Sequence, residues 1–278
     1  MKTSENANLW HQRLGHISAN NMKKLKNYPE NLDFQDEHDQ PCIACAQGKL
    51  CKRPFKSSEN HAKELLELVH SDVMGPLEVP SVSGYRYVLI FLDDHSRKIF
   101  VYFLRHKDEA TSKFKEFKVF AEKQSDKQIK RFRTDNGGEY VNTQLSDFFC
   151  ENGIQHEPTV PYNPQQNGRA ERVNGSIMRM ARCMLMDSNC PKKFWAEAVN
   201  TAVYLKNRCS HAALHDLSPE ECWSGRKPKL GHLKVFGCRA LAHVPKEKRK
   251  KLDAVSKELV MVGYGTATKG YLSVTGSG

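Results

Sequence analysis

Three acidic residues stand where two strands and a helix can bring them together. Asp72 ends a β-like stretch, Asp135 follows a second one, and Glu171 lies near the start of a long amphipathic helix. The gaps between them hold 62 and 35 residues. Carboxylates on two strand ends and a helix can hold two Mg²⁺ (or Mn²⁺) ions about 4 Å apart, an arrangement suited to in-line phosphoryl displacement. The sequence therefore predicts a two-metal phosphoryl-transfer site.

Taken singly, each of these acids could be an ordinary solvated surface group. Their occurrence together, on two strands and a helix, favours the metal site. Glu171 lies two positions before Val173, a member of the helix's apolar stripe. This spacing places Glu171 about 200° round the helix axis from the stripe, so it is expected to face a groove. Asp93 and Asp94 close another strand and are assigned to a hairpin turn.

A second set of candidate ligands lies in the polar N-terminal segment: His11, His16, Cys42 and Cys45. Two imidazole nitrogens and two thiolates form the tetrahedral donor set of a closed structural Zn²⁺ site. Gly15 is expected to end the first helix and to return His16 to the metal. The alternatives are four unrelated polar residues, or a set in which Cys51 replaces one ligand. The segment has few large apolar residues, so we expect its folding to depend on zinc while the rest folds without it.

Composition narrows the class of protein. The formal net charge of +11 favours a polyanionic partner such as nucleic acid, although a merely basic surface is the alternative. Nine cysteines, an odd number in no regular framework, favour a reducing compartment. No apolar run approaches the roughly 20 residues that span a bilayer, so no membrane partner is expected. Neither a P-loop nor a Gly-x-Gly-x-x-Gly fingerprint is present, so no nucleotide cofactor is expected.

The elements expected to position the acids belong to a mixed α/β domain. Strands are predicted at residues 68–73, 85–93, 99–104 and 129–134, and helices at about 110–121, 143–152, 169–186 and 193–207. The second and third strands form a hairpin, and a polar loop at 158–168 precedes the long helix. This order fits a mixed sheet flanked by helices.

Six motifs occur in a characteristic order: WHQRLGH (10–16), CIAC (42–45), HSDVMGP (70–76), TDNGGEY (134–140), PYNPQQNGRAERVNGSI (161–177) and FWAEAVNTAVYLKNR (194–208). Over about residues 9–272 the chain resembles the integrase region of copia-type LTR retrotransposon polyproteins. The resemblance implies a His2Cys2 zinc domain and a ribonuclease-H-like core. It also implies that Asp72, Asp135 and Glu171 are the catalytic carboxylates.

The resemblance also implies a domain organisation. It comprises a small helical zinc-binding domain at 1–55, a ribonuclease-H-like core at 56–210, a linker at 211–232 and a small β-barrel-like domain at 233–274. Residues 275–278 have the composition of a linker scar. We expect the barrel to stop near residue 274, before the long and often basic tail of such polyproteins.

The implied function is metal-dependent strand transfer of element DNA 3′ ends into target DNA, performed in the nucleus by a homo-oligomer, a dimer or a tetramer. The alternatives are a hydrolytic nuclease on the same fold and a catalytically inactive DNA-binding or assembly protein. The residues expected to contact double-stranded DNA are basic or amide side chains of the loop before the long helix, of that helix and of the C-terminal region. They are Gln165, Gln166, Asn167, Arg169, Arg172, Arg179, Arg182, Lys248, Arg249 and Lys250.

Overall fold

A computed structural model of the chain describes residues 7–25, 42–49, 61–135, 137–159, 168–265 and 270–275. The helices are α1 Ala7–Arg13, α2 Ala19–Leu25, α3 Ile43–Lys49, α4 Ala110–Ser125, α5 Thr143–Glu151, α6 Gly168–Asp187, α7 Trp195–Arg208 and α8 Pro219–Ser224. The strands are β1 Leu68–Met74, β2 Tyr87–Asp93, β3 Ile99–Leu104, β4 Arg131–Thr134, β5 Gln155–Pro158, β6 Arg239–His243, β7 Ser256–Tyr264 and β8 Tyr271–Val274.

The central sheet has five strands in the order β3-β2-β1-β4-β5. Strands β1, β2 and β3 pair antiparallel, whereas β4 pairs parallel with both β1 and β5. The predicted hairpin of β2 and β3 is confirmed. The predicted mixed sheet flanked by helices is also confirmed, with one strand, β5, that the sequence did not predict.

Alternation along β2 divides the apolar side chains between the two faces of the sheet. Val88, Ile90 and Leu92 belong to the cluster that includes α6 and α7. Leu89 and Phe91 belong to the cluster beneath α4 and α5. Successive side chains of a strand point to opposite faces, so this continuous apolar run is buried on both sides.

The helices follow the apolar spacing of the sequence. On α4 the four residues of the predicted stripe are all buried: Ala110, Phe114, Phe117 and Ala121. On α6 the residues Ile177, Met180 and Met184 are buried, while Val173 at the first turns is only partly covered. The long helix α6 therefore lies with one apolar face on the sheet and its N-terminal turns near the strand ends.

The N-terminal helices pack on the same apolar cluster as α6 and α7. Trp10, Leu14 and Leu25 are buried in this cluster together with Met180 and Leu205. At Gly15, an added Cβ would stand 3.0 Å from Leu205 Cδ1, so the segment approaches α7 closely. The zinc-ligand segment is thus in direct apolar contact with the layer that carries α6.

The C-terminal strands β6, β7 and β8 form a separate antiparallel sheet that also contacts α7. Met261, Val262 and Tyr264 are buried in the α6–α7 cluster. The buried Thr201 hydroxyl donates to the Val262 carbonyl oxygen at 3.1 Å. Among the described helices, none has the length and apolar content needed to cross a membrane.

Candidate active site and metal centre

The topology brings the three predicted acids to one region of the sheet. His70 of β1 pairs with Arg133 of β4, and continuing this parallel register places Asp72 beside Asp135. Glu171 lies in the first turn of α6 and is exposed, as its position on the helix predicted. Two neighbouring strands and one helix therefore supply one carboxylate each.

The negative charges of Asp135 and Glu171 act on the carboxyl group of Asp72. Burial raises the pKa of Asp72, and the negative charges of Asp135 and Glu171 raise it further. A hydrogen bond from Asn174 Nδ2 to Asp72 Oδ2, 2.7 Å long, opposes these effects. Like charges gathered at a half-buried site are costly without cations, so the region is suited to divalent metal ions.

Carboxylate oxygens are hard donors of the kind that Mg²⁺ and Mn²⁺ prefer. Within the described ranges, the His and Cys set is a compact group of candidate ligands, whose four ligand atoms all lie within 4.8 Å of one another. The donor type of the three carboxylates thus fits Mg²⁺ or Mn²⁺.

The turn after β4 holds Asp135 in place. The backbone N–H of Gly137 donates to Asp135 Oδ1 at 3.1 Å, and the Tyr140 N–H donates to the Gly137 carbonyl at 2.9 Å. The buried Tyr140 hydroxyl lies 2.6 Å from Ser71 Oγ on β1. Burial raises the pKa of Tyr140, so its phenol remains neutral and ties this turn to the strand that carries Asp72.

Asn174 is a site residue that sequence reasoning missed. It lies three positions after Glu171, is buried, and contacts Asp72 from the same side of α6. Residues three apart on a helix are neighbours, so this spacing was the available signal. An asparagine in a polar helix carries no charge pattern of its own, which is why the signal was overlooked.

The second ligand set gathers as a compact cluster. His11 Nε2 lies 3.2 Å from Cys45 Sγ, and Cys42 Sγ lies 3.4 Å from His16 Nδ1. In a tetrahedron with Zn–S of about 2.3 Å and Zn–N of about 2.0 Å, ligand atoms stand roughly 3.5 Å apart. The four residues therefore fit a zinc ion. Cys51, the alternative ligand, lies outside the described residues.

Neighbouring groups orient these ligands. His11 Nδ1 lies 2.9 Å from the Ile17 carbonyl oxygen, which leaves Nε2 facing the cluster. His16 Nε2 lies 4.0 Å from Asp187 at the end of α6, and Nδ1 faces the cysteines. Positive φ angles at Gly15 and His16, +65° and +61°, make the sharp reversal that was predicted after the first helix. Partners of this kind fix the orientation of metal-binding imidazoles.

Asp93 and Asp94 both border the hairpin turn, as predicted, and each side chain bonds to a residue of that turn. Asp93 accepts hydrogen bonds from the Ser96 N–H and hydroxyl at 2.7 and 2.6 Å, and Asp94 accepts one from Arg97 at 2.8 Å. Asp94 is also fully buried at the centre of a charged cluster, which we call the Asp94 cluster: Asp94, His70, Arg97 and Arg169. Arg169 is the second residue of α6, so the cluster anchors the start of this helix to the sheet.

The candidate DNA contacts fall in several places. Gln165, Gln166 and Asn167 lie outside the described residues. Arg169 belongs to the Asp94 cluster, and the other three arginines follow along α6: Arg172, Arg179 and Arg182. The C-terminal basic residues Lys248, Arg249 and Lys250 lie in the connection between β6 and β7.

Comparison with known proteins accords with this arrangement. Residues 63–164 match the integrase core domain, residues 1–50 the GAG-pre-integrase domain, and residues 238–273 the retroviral polymerase SH3-like domain. The chain is 42% identical over 268 residues to the retrovirus-related Pol polyprotein from transposon TNT 1-94 of Nicotiana tabacum. It is 33% identical over 264 residues to that from transposon RE2 of Arabidopsis thaliana. The chain thus contains an integrase core domain and is similar to part of these retrotransposon polyproteins.

The chain spans only part of its relatives. The two alignments cover 95% of the chain but 20% and 18% of the polyproteins. Among solved structures, it resembles a chain in a simian T-cell lymphotropic virus intasome in complex with PP2A regulatory subunit B56 gamma. The TM-score is 0.50 at 16% identity, over 80% of this chain and 77% of that one. That similarity shows the fold, a ribonuclease-H-like sheet with flanking helices.

Proposed function

We propose that this chain catalyses metal-dependent strand transfer of element DNA 3′ ends into target DNA. The observation that carries the proposal is the meeting of Asp72, Asp135 and Glu171 at adjoining strands and a helix of an integrase core domain. In the reaction, the 3′-hydroxyl oxygen of the element DNA bonds to a target phosphorus. The target's own P–O3′ bond breaks, and the hydroxyl proton passes to solvent.

Asp72, Asp135 and Glu171 together would hold two divalent metal ions. When bound, the ions supply positive charge to the attacking and leaving oxygens. The chain's own contribution is positioning: Asn174 orients the Asp72 carboxylate, and the Gly137 N–H orients that of Asp135. Preorganised ligands of this kind lower the cost of reaching the transition state.

The His and Cys set would hold one structural Zn²⁺. Four protein ligands would fill the tetrahedral shell of Zn²⁺, so no coordination position would be left for substrate. The zinc would join α1 and α3, and α3 packs directly against α6. Its proposed role is therefore to support the far end of the helix that begins near Glu171.

The proposed partner is double-stranded DNA, both element end and target, which suits the net charge of +11. One active site joins one DNA end, so insertion of both ends requires a homo-oligomer, a dimer or a tetramer. Chromosomal target DNA implies action in the nucleus. The division into zinc domain, core, linker and small β-barrel-like domain stays a proposal for this chain.

A strand-transfer assay tests the function. Labelled donor ends, plasmid target and Mn²⁺ are incubated with zinc-loaded protein, and the products are resolved on a gel. We expect donor covalently joined to target. Cleavage without joining would instead identify a hydrolytic nuclease, and DNA binding with neither product would identify an inactive assembly protein.

A further inference from the structure

A pocket of about 300 Å³ lies beside the first half of α6, between the end of the β2–β3 hairpin, the end of α7 and the start of α8. Its floor is apolar and includes Leu92, Ile99 and Val173. Its walls carry basic and imidazole side chains from four parts of the chain. They are His61, Arg97, Arg169, Arg172, Lys206 and His211. We call this the basic pocket.

The charges of the basic pocket are not balanced within the described part of the chain. Arg97 and Arg169 share a single carboxylate, that of Asp94, with Asp93 further from Arg97. Arg172 and Lys206 occur in none of the ion pairs between described residues. Burial lowers the pKa of Lys206, and no carboxylate opposes that effect. Cations that are grouped in a concave, partly desolvated pocket are stabilised when an anion binds and neutralises part of their charge.

The basic pocket is distinct from the carboxylate site. Four residues of α6 line the pocket, and their spacing of three and four positions places them on one helix face: Arg169, Arg172, Val173 and Ser176. Glu171 lies two positions from both Arg169 and Val173, about 200° round the axis at 3.6 residues per turn. The pocket therefore occupies the side of α6 that faces away from Glu171.

We propose that the basic pocket binds one backbone phosphate of a DNA strand, with the neighbouring deoxyribose on the apolar floor. Guanidinium groups present paired N–H donors that match phosphate oxygens, and several such groups converge here. The apolar floor suits the carbon face of a sugar and provides no base-edge contact, so the contact is independent of sequence. This inference rests on the proposed function, because it adds a DNA contact to the same enzyme.

The test neutralises, one at a time, two basic residues of the pocket that have no ion-pair partner among the described residues. Lys206→Met and Arg172→Gln are compared with Lys123→Gln, which removes one exposed lysine from α4 on another face. Binding of a 20-base-pair duplex is measured by fluorescence anisotropy across a salt series. Loss of one phosphate contact lowers the log–log salt slope by about 0.9 and weakens binding about eightfold at 0.1 M salt. We expect this for both pocket variants and not for the control.

Two further measurements separate a DNA contact from other roles. A duplex in which neutral methylphosphonates replace part of the backbone phosphates should weaken the wild-type complex more than that of Lys206→Met. Without DNA, Lys206→Met should keep or raise the melting temperature, since it removes an uncompensated half-buried cation. If millimolar inorganic phosphate raises the melting temperature of the wild-type protein but not of Lys206→Met, and leaves duplex affinity unchanged, the pocket holds free anions and the proposal is overturned.

Three other results would overturn it. One is equal weakening by Lys123→Gln, and another is an unchanged salt slope in both pocket variants. The third is loss of self-association with DNA affinity intact, which would assign the pocket to an acidic segment of a second copy. Failure of the wild-type protein to bind the duplex at all would instead overturn the proposed function, so the two failures are distinguishable.

Discussion

Asp94 borders the hairpin turn, and its buried environment makes the negative charge of its carboxylate necessary for the stability of the fold. Burial alone would raise its pKa, but the hydrogen bonds from His70 and the Ala62 N–H, together with the charge of Arg97, hold the pKa well below its usual range. The side chain is completely buried. An ionised carboxylate in such a place is stable only while its cationic partners surround it.

Asp94→Asn should destabilise the protein by about 3–5 kcal/mol, because Arg97 and Arg169 lose their shared counter-charge. Urea unfolding at neutral pH measures the loss, with Asp147→Asn on exposed α5 as the matched control. A folded-state pKa below the unfolded value of about 3.9 means that the stabilisation is present above that pH and is lost as the pH falls. An Asp94→Asn protein as stable as the control would contradict this account.

The adjacent residues Asp93 and Asp94 show what could not be predicted for single residues from the sequence. Asp93 and Asp94 look alike in sequence, since both follow a strand and precede a turn. Which of them reaches Arg169, 75 positions along the chain, depends on how α6 packs on the sheet. By contrast, the elements that carry Asp72, Asp135 and Glu171 were predictable from the sequence, although β1 continues two residues beyond Asp72, to Met74.

Helix α6 connects the two candidate metal sites. Its first turns carry Glu171 and Asn174, and its last turns contact the zinc-ligand helix α3. At the contact, a Cβ added to Gly48 would stand 2.3 Å from Cys183 Sγ. The glycine therefore permits α3 to approach α6 closely, although glycine is a poor residue for a helix.

Gly48→Ala tests this close approach. Alanine would favour an isolated helix by about 1 kcal/mol, but overlap with Cys183 should produce net destabilisation of about 1–3 kcal/mol. Thermal unfolding measures the change. The double variant Gly48→Ala/Cys183→Ala removes the overlapping sulfur and should recover part of the loss. If Gly48→Ala alone raises the melting temperature, the two helices do not pack as described.

Zinc removal should affect more than the N-terminal segment. From its sequence, residues 1–55 were expected to unfold alone, but Trp10, Leu14 and Leu25 share one apolar cluster with Met180 and Met184. Cys42→Ser should therefore abolish stoichiometric zinc and also speed hydrogen exchange in the second half of α6. Cys150→Ser, exposed on α5, is the control. If hydrogen exchange in α6 is unchanged after zinc loss, residues 1–55 unfold alone, as expected from the sequence.

Strand β5 could not be predicted from the local sequence pattern. Its residues, Gln155 to Pro158, show no alternation of apolar and polar side chains, and none is buried. It exists because β4 offers it a parallel partner at the sheet edge. Arg133 strengthens the pairing through Glu157, at 2.6 Å. Longer elements such as α4 were predictable, because four buried positions recur at helical spacing.

At the scale of the whole molecule, the N-terminal helices and the C-terminal sheet both pack on the layer formed by α6 and α7. The sequence predicted a helical zinc segment, a mixed α/β core, a linker at 211–232 and a small β-barrel-like region. In the described residues, helix α8 lies within the predicted linker, and the C-terminal strands form a three-stranded antiparallel sheet. The sequence could not show that these regions share one apolar cluster, because single residues such as Leu14 and Val262 carry no mark of their distant partners. Of these two helices, α6 carries Glu171 and Asn174 and also contacts the helix α3 of the zinc-ligand segment.

The most direct test of the central claim compares joining and binding in Glu171→Gln. Glutamine nearly preserves the side-chain volume at an exposed position, so folding and zinc content should be unchanged. It removes the charge that a divalent ion requires, so strand transfer should fall by orders of magnitude while duplex affinity persists or increases. Asp72→Asn and Asp135→Asn should behave alike. Near-normal joining by folded, zinc-loaded Glu171→Gln would contradict the assignment of the third carboxylate, and equal loss of binding and joining would assign it a structural role.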